Sequence, residues 1–159
     1  AFHFSKIIKN NIDYNATIKN EKYCKYSKLN LGFTLDIEDK LLIGVFSDAC
    51  QFEQDKFIEN IFSIQKRTIS GNIKPNEVNQ PTIGITSLSS HSISRHIPIL
   101  LPYTSIMFAI SDILPNANDK GIYCSFGITY DHRLHSGTQI SQLLNKFDHS
   151  INNIDVKSK

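Results

Sequence analysis

At 159 residues the chain is long enough for one domain with a substantial core. Its 40% hydrophobic and 20% charged content is ordinary for a globular protein, and a net charge of +2 with scattered lysines gives no basis for a nucleic-acid partner. No apolar run approaches the length of a membrane span, and the first ten residues lack the order of a signal peptide.

Phe4 to about Asn11 has the apolar spacing of a helix end, Phe4, Ile7 and Ile8 before polar residues. Tyr14–Ile18 and Lys22–Tyr26 are short extended candidates. Leu31, Phe33 and Leu35 alternate with Gly32, Thr34 and Asp36, a half-buried strand; Glu38-Asp39-Lys40 reads as a turn, and Leu41–Phe46 as a second strand pairing in a hairpin. Glu53 to about Ser70 is the clearest helix, with Phe57, Ile58, Ile61, Phe62, Gln65 and Ile69 marking its apolar face and Gly71 placed to end it in the left-handed region.

A polar connection over Asn72–Pro81 leads to a strand over Thr82–Leu88. A serine-rich loop, Ser89–Arg95, and an apolar segment around Pro98 follow, then a buried strand over Thr104–Ile110 and a turn over Leu114–Lys120. Gly121–Asp131 alternates throughout, with Ile122, Cys124, Phe126, Ile128 and Tyr130 on one face. The closing helix begins at Ser136, whose spacing to Gln139 is that of a capping box, and Ile140, Leu143, Leu144, Phe147 and Ile151 form its stripe. Residues after Ile154 read as a polar tail, so the domain is set at 1–154 and the tail at 155–159. The pattern is a mixed α/β (α+β) domain.

Cys24, Cys50 and Cys124 are odd in number and contain no Cys-x-x-Cys pair, which points to free, mostly buried thiols in a reducing compartment. His132 stands between the last strand and the last helix, where an imidazole is held rigidly enough for a general base. Asp131 and Arg133 flank it as ionic neighbours that fix its orientation and tautomer, and Gly137 permits close approach of a substrate or second backbone. His132 and His135, three apart, would point to opposite faces of an extended stretch, and no cysteine or carboxylate completes a metal site with them or with His91 and His96, so no metal is expected. Thr86 offers a hydroxyl on the polar face of its strand; a buried histidine and an ordinary strand threonine are the competing readings of the two residues.

These residues resemble a family. Asp131-His132-Arg133, followed by three residues and Gly137, is similar to the Asp-His-Arg signature of the catalytic domain of the dihydrolipoyl acyltransferases, the core subunits of 2-oxo acid dehydrogenase complexes, related in fold to chloramphenicol acetyltransferase. Asn15-Ala16-Thr17 is similar to the family's Asn-Ala-Ser, Leu29-Asn30-Leu31-Gly32 to its Asn-Ile-Gly strand, and Leu41–Ala49 to its Leu-Ile-Val-Pro-Val-Ile-Arg-Asp-Ala, with Gly44 for proline and Ser47 for arginine. Thr82–Leu88 is similar to the Thr-Phe-Thr-Ile-Ser-Asn-Leu strand, and Ile97-Pro98-Ile99 and Pro102 follow in step. The resemblance runs from about Lys6 to Ile151.

It implies a chloramphenicol acetyltransferase-like mixed sheet with flanking helices. It implies an acyltransferase (a transferase of the EC 2.3.1 type) exchanging an acyl group between dihydrolipoyl and coenzyme A thiols, with His132 as base and Thr86 in place of the serine that steadies the oxyanion. The two would meet across the interface of a homotrimer, which can build a larger core. Coenzyme A and a lipoyl group, on a lipoylated domain or acyl carrier, are the implied substrates and partners, with neither nucleic acid nor membrane. The implied location is the cytoplasm, with the mitochondrial matrix as alternative. Ser136 stands where the family has aspartate, and it replaces that residue as a cap but not as a charge. Ser89 replaces a glycine, and the family's first helix and strand have no counterpart here. These departures carry the alternative, a non-catalytic core subunit that keeps fold and assembly. The acyl group is not specified by these residues.

Overall fold

The computed structural model describes residues 1–37, 40–77, 80–116 and 121–153. The expected turn at Glu38-Asp39, most of that at Leu114–Lys120 and the tail 155–159 lie outside the described residues. The elements run α1 (Phe2–Asn10), β1 (Ala16–Lys19), β2 (Lys22–Lys25), β3 (Leu31–Ile37), β4 (Lys40–Phe46), α2 (Gln54–Ile69), β5 (Ile83–Ser87), β6 (Ile106–Pro115), β7 (Ile122–Tyr130) and α3 (Gly137–Asn152). This is the mixed α/β class expected.

Five strands form one sheet in the order β4-β3-β5-β6-β7. The hairpin β3–β4 and the pair β6–β7 are antiparallel, while β5 runs parallel to both β3 and β6. β1 and β2 form a separate two-stranded ribbon. Period-2 alternation sends Leu31, Phe33, Ile83, Ile85, Ile106, Phe108, Phe126 and Ile128 to the face that packs on the helices. An aromatic cluster locks the layers together: Phe108 stacks on Phe4 of α1 at 4.7 Å, and its ring lies edge-on to Phe147 of α3 at 4.9 Å. α2 packs on β4, with Phe57 against Phe46 at 5.2 Å.

The other face is covered by the segment between β5 and β6. Thr129 donates its hydroxyl to the Pro98 carbonyl (2.7 Å), and the Asp112 amide donates to the Ile93 carbonyl (3.0 Å). This cover presses on the sheet: a Cβ at Gly127 would lie 2.9 Å from the His96 carbonyl oxygen, so only glycine fits there.

The closing helix starts as expected. Ser136 Oγ accepts from the Gln139 amide while the Gln139 side chain accepts from the Ser136 amide, a complete capping box. α2 also ends as expected, with Gly71 at φ +70° and its amide on the Thr68 carbonyl, followed by the Asn72 amide on the Arg67 carbonyl. Its buried face differs. The helix buries Phe57, Ile64 and Thr68 and leaves Ile58, Phe62 and Ile69 exposed. On the buried face Thr68 turns inward, its hydroxyl satisfied by the Ile64 carbonyl (2.9 Å).

β6 also runs past the expected end at Ile110, through an irregularity between Ile110 and Ile113, as far as Pro115. Of the three free cysteines, Cys50 is buried and Cys24 and Cys124 are half-buried. Burial pushes the Cys50 thiol up to about 11, so it is a packing residue rather than a nucleophile.

Candidate active site

The turn between β7 and α3 is built from its own short-range bonds. The Leu134 and His135 amides both donate to the Asp131 carbonyl (2.9 and 3.1 Å), which closes the chain into one tight turn rather than an extended stretch. The Asp131 amide donates to Ser105 at the start of β6 (3.0 Å) and anchors the turn to the sheet. His132 and Arg133 are exposed at its crest, while His135 is buried at its base. The two histidines do diverge, but because a turn separates them. The His132 ring leans on Tyr130, centroids 5.6 Å apart.

Asp131 and Arg133 do not orient the imidazole as expected. They bind each other: Arg133 Nε donates to Asp131 Oδ1 (2.9 Å) and Nη2 to Oδ2 (2.6 Å), a two-point pair with the Arg133 amide also on Oδ1 (3.0 Å). The guanidinium holds the Asp131 carboxyl below its ordinary range. The pair thereby clamps the backbone on either side of His132. Ser136 sits in the helix cap rather than against His132. At Gly137 an added Cβ would meet only the Tyr130 hydroxyl, at an ordinary 3.5 Å, so no close approach within this chain requires a glycine there. Beside the turn lies a recess of about 320 Å³ lined by Thr17, Ile18, Leu101, Tyr103, Asp131 and Arg133.

Thr86 lies elsewhere. It is the fourth residue of β5, on the sheet face away from the helices, paired with Ala109 of β6. Ala109 in turn faces Gly127, whereas Tyr130, the last β7 residue before the turn, faces Ile106. The two positions thus differ by three residues along the strands and by two strand spacings across them, on the order of 14 Å. One chain does not bring His132 and Thr86 together.

Thr86 has a partner that the sequence did not announce. Thr34 donates its hydroxyl to Thr86 Oγ1 (2.8 Å), which leaves the Thr86 proton free to be donated onward. Thr34 was visible only as the polar side of an alternating strand, because the parallel β3–β5 register places it beside Thr86. The hydroxyl pair opens on a recess of about 380 Å³ lined also by Asp36, Gln65, Ser89 and His91. Among the described residues no group of three or more metal-ligating side chains occurs, and no helix is long and apolar enough to cross a membrane.

This geometry has relatives. A family model described as the catalytic domain of 2-oxoacid dehydrogenases acyltransferase matches residues 4–157. The chain is 31% identical over 152 residues to the dihydrolipoyllysine-residue acetyltransferase component of the pyruvate dehydrogenase complex of Mycobacterium bovis, covering 89% of this chain but only 27% of that protein.

Its fold is similar to that of Azotobacter vinelandii dihydrolipoamide acetyltransferase, studied for the catalytic roles of a serine, a histidine and an asparagine (TM-score 0.84, 16% identity, 96% of this chain and 66% of that one). It is also similar to the cubic core of the pyruvate dehydrogenase multienzyme complex (TM-score 0.82, 16% identity, 95% and 67%). The likeness to chloramphenicol acetyltransferase is more distant (TM-score 0.54, 9% identity, 94% and 70%). The chain belongs to the family of 2-oxoacid dehydrogenase acyltransferase catalytic domains.

Proposed function

We propose that this domain moves an acyl group between the thiols of dihydrolipoyl and coenzyme A. The observation that carries the reading is the His132 turn: within a chain of this family, an exposed imidazole is held at the crest of a turn fixed at both ends and faces open space. His132 takes the proton of the attacking thiol. The sulfur adds to the thioester carbonyl, the oxyanion accepts the free Thr86 proton as a hydrogen bond, and the bond to the leaving sulfur breaks as His132 returns its proton. No metal is needed for this exchange.

Since in one chain the end of β7, two residues before His132, lies roughly 14 Å from Thr86, the Thr86 of a neighbouring copy completes the site. We infer a homotrimer, or a larger core built from trimers, with coenzyme A and a lipoylated domain or acyl carrier as partners. The fold shared with a cubic core supports that assembly. The histidine and asparagine studied in the Azotobacter protein stand four residues apart, as His132 and Ser136 do, and asparagine and serine are both good helix caps. An uncharged residue at Ser136 is thus no argument by itself for a scaffold without turnover. The three free thiols favour a reducing compartment, for which we propose the cytoplasm.

The test is thiol release from acyl-coenzyme A with dihydrolipoamide as acceptor. The wild-type protein is expected to turn over, and His132→Ala to lose at least about a hundredfold in rate with an unchanged melting temperature, because the ring is exposed. A well-folded protein without turnover, or an unimpaired His132→Ala, overturns the reading.

A further inference from the structure

His135 is the one residue of the turn that is buried. It is 4% exposed, and its ring lies 5.2 Å from the Tyr14 ring at 44°, with the Tyr14 backbone in hydrogen-bond contact. Tyr14 is itself tied down on three sides: its amide donates to the Asn11 carbonyl, its phenol to the Gln139 carbonyl in α3 (2.7 Å), and its own carbonyl accepts from the Ser105 hydroxyl. Ser105 is also the residue that anchors the Asp131 amide. His135 therefore joins the base of the His132 turn to the same framework that fixes its first residue. Its Nε2 is buried with no hydrogen-bond partner. A leucine or phenylalanine would fill the slot without that cost, so packing alone does not account for a histidine.

We propose that His135 is a positioning residue for His132: its ring, wedged between the β7–α3 turn and Tyr14, sets the height and angle at which the turn presents the His132 imidazole. The inference rests on the acyl-transfer reading above. The wedge also couples presentation to pH. The acidic groups facing the ring are Asp131, on the turn, and Asp13, beside Tyr14. Asp131 is committed to Arg133 and Asp13 to Lys25, and the Tyr14 phenol donates to Gln139. A proton arriving on Nε2 therefore finds neither water nor an uncommitted acceptor, and burial pushes the His135 imidazole below its ordinary value. Protonation loosens the wedge and withdraws His132 from its working position.

The experiment compares His135→Ala and His135→Phe with the wild type. Expected for His135→Ala is a kcat about tenfold to a hundredfold lower at pH 7.5 with KM for the thiol substrate little changed. His135→Phe restores the bulk and with it most of the rate. In the wild type the acid side of the log rate profile steepens over the range in which His135 takes up its proton. In His135→Phe that steepening is lost. The His132 imidazole resonances, followed by NMR, should shift or broaden in His135→Ala and return in His135→Phe.

A wild-type kcat in His135→Ala, an unchanged acid slope in His135→Phe, or undisturbed His132 resonances overturns the proposal. If the wild type shows no turnover, the acyl-transfer reading fails on its own, and the His132 resonances still decide whether His135 positions that ring.

Discussion

The two halves of the candidate site are built in opposite ways. The His132 half is assembled from bonds that span two to four residues: Asp131 with Arg133, the amides of Leu134 and His135 on Asp131, and Ser136 with Gln139. The Thr86 half depends on a parallel strand pairing that brings Thr34 beside it from 52 residues away. The first is shaped by local bonds and only tied to the rest of the fold, through Ser105 and Tyr14. The second exists only once β3, β5 and β6 have assembled. Substitution of the exposed His132 should therefore act through rate alone, whereas substitution of Thr86 should act through both rate and folding.

The largest separation of the two halves is expected at Thr86. Thr86→Val removes the donated proton and should lower the acyl-transfer rate by about a hundredfold, while Thr86→Ser keeps it and should stay within about tenfold. Because valine also leaves Thr34 without its acceptor, Thr86→Val should cost roughly 1 kcal/mol of stability in denaturant unfolding. A valine variant at full rate would remove Thr86 from the mechanism. Ser136→Ala is the local counterpart. It should cost about 1 kcal/mol by loss of the cap and lower the rate only as far as the turn loosens. A stability loss well below that value would mean that the cap does not hold the turn.

The smallest effect is the acid dependence of stability, and its sign is fixed. The Asp131 and Glu77 carboxyls are held low by Arg133 and Arg67, and the His135 imidazole is held low by burial. In each case the unfolded chain binds more protons than the folded one, so stability falls as pH falls. His135 contributes its loss first, below about pH 6.5, and the carboxylates only below about pH 4.5. Melting temperatures between pH 7.5 and 5 should decline in the wild type and less so in His135→Phe. A flat profile would show that His135 gains no neutral-form preference from folding.

How much could be read in advance follows the same division. The capping box at Ser136, the glycine terminus of α2 and the alternation of β7 are local signals, and each was legible. The family was legible too, because its signature Asp131-His132-Arg133 is contiguous. What failed were inferences about partners. Asp131 and Arg133 stand beside His132 in sequence, yet a two-point pair between themselves is the stronger bond. α2 carries more apolar residues than one face needs, so which of them turn inward depends on β4. Thr34 and His135 gain their importance from Thr86 and Tyr14, neither of which is close in sequence.

The central claim is that a working site takes His132 from one copy of the chain and Thr86 from another. The direct measurement is complementation between two inactive variants. His132→Ala and Thr86→Val are unfolded together in equal amounts, refolded, and assayed against each variant refolded alone. If neighbouring copies share the site, random mixing pairs an intact His132 with an intact Thr86 at roughly a quarter of the interfaces, and about a quarter of wild-type activity should return. If each chain carried its own complete site, no mixed assembly would contain an intact one. Activity no higher than that of the separate variants, in mixed oligomers confirmed by mass, would contradict the account.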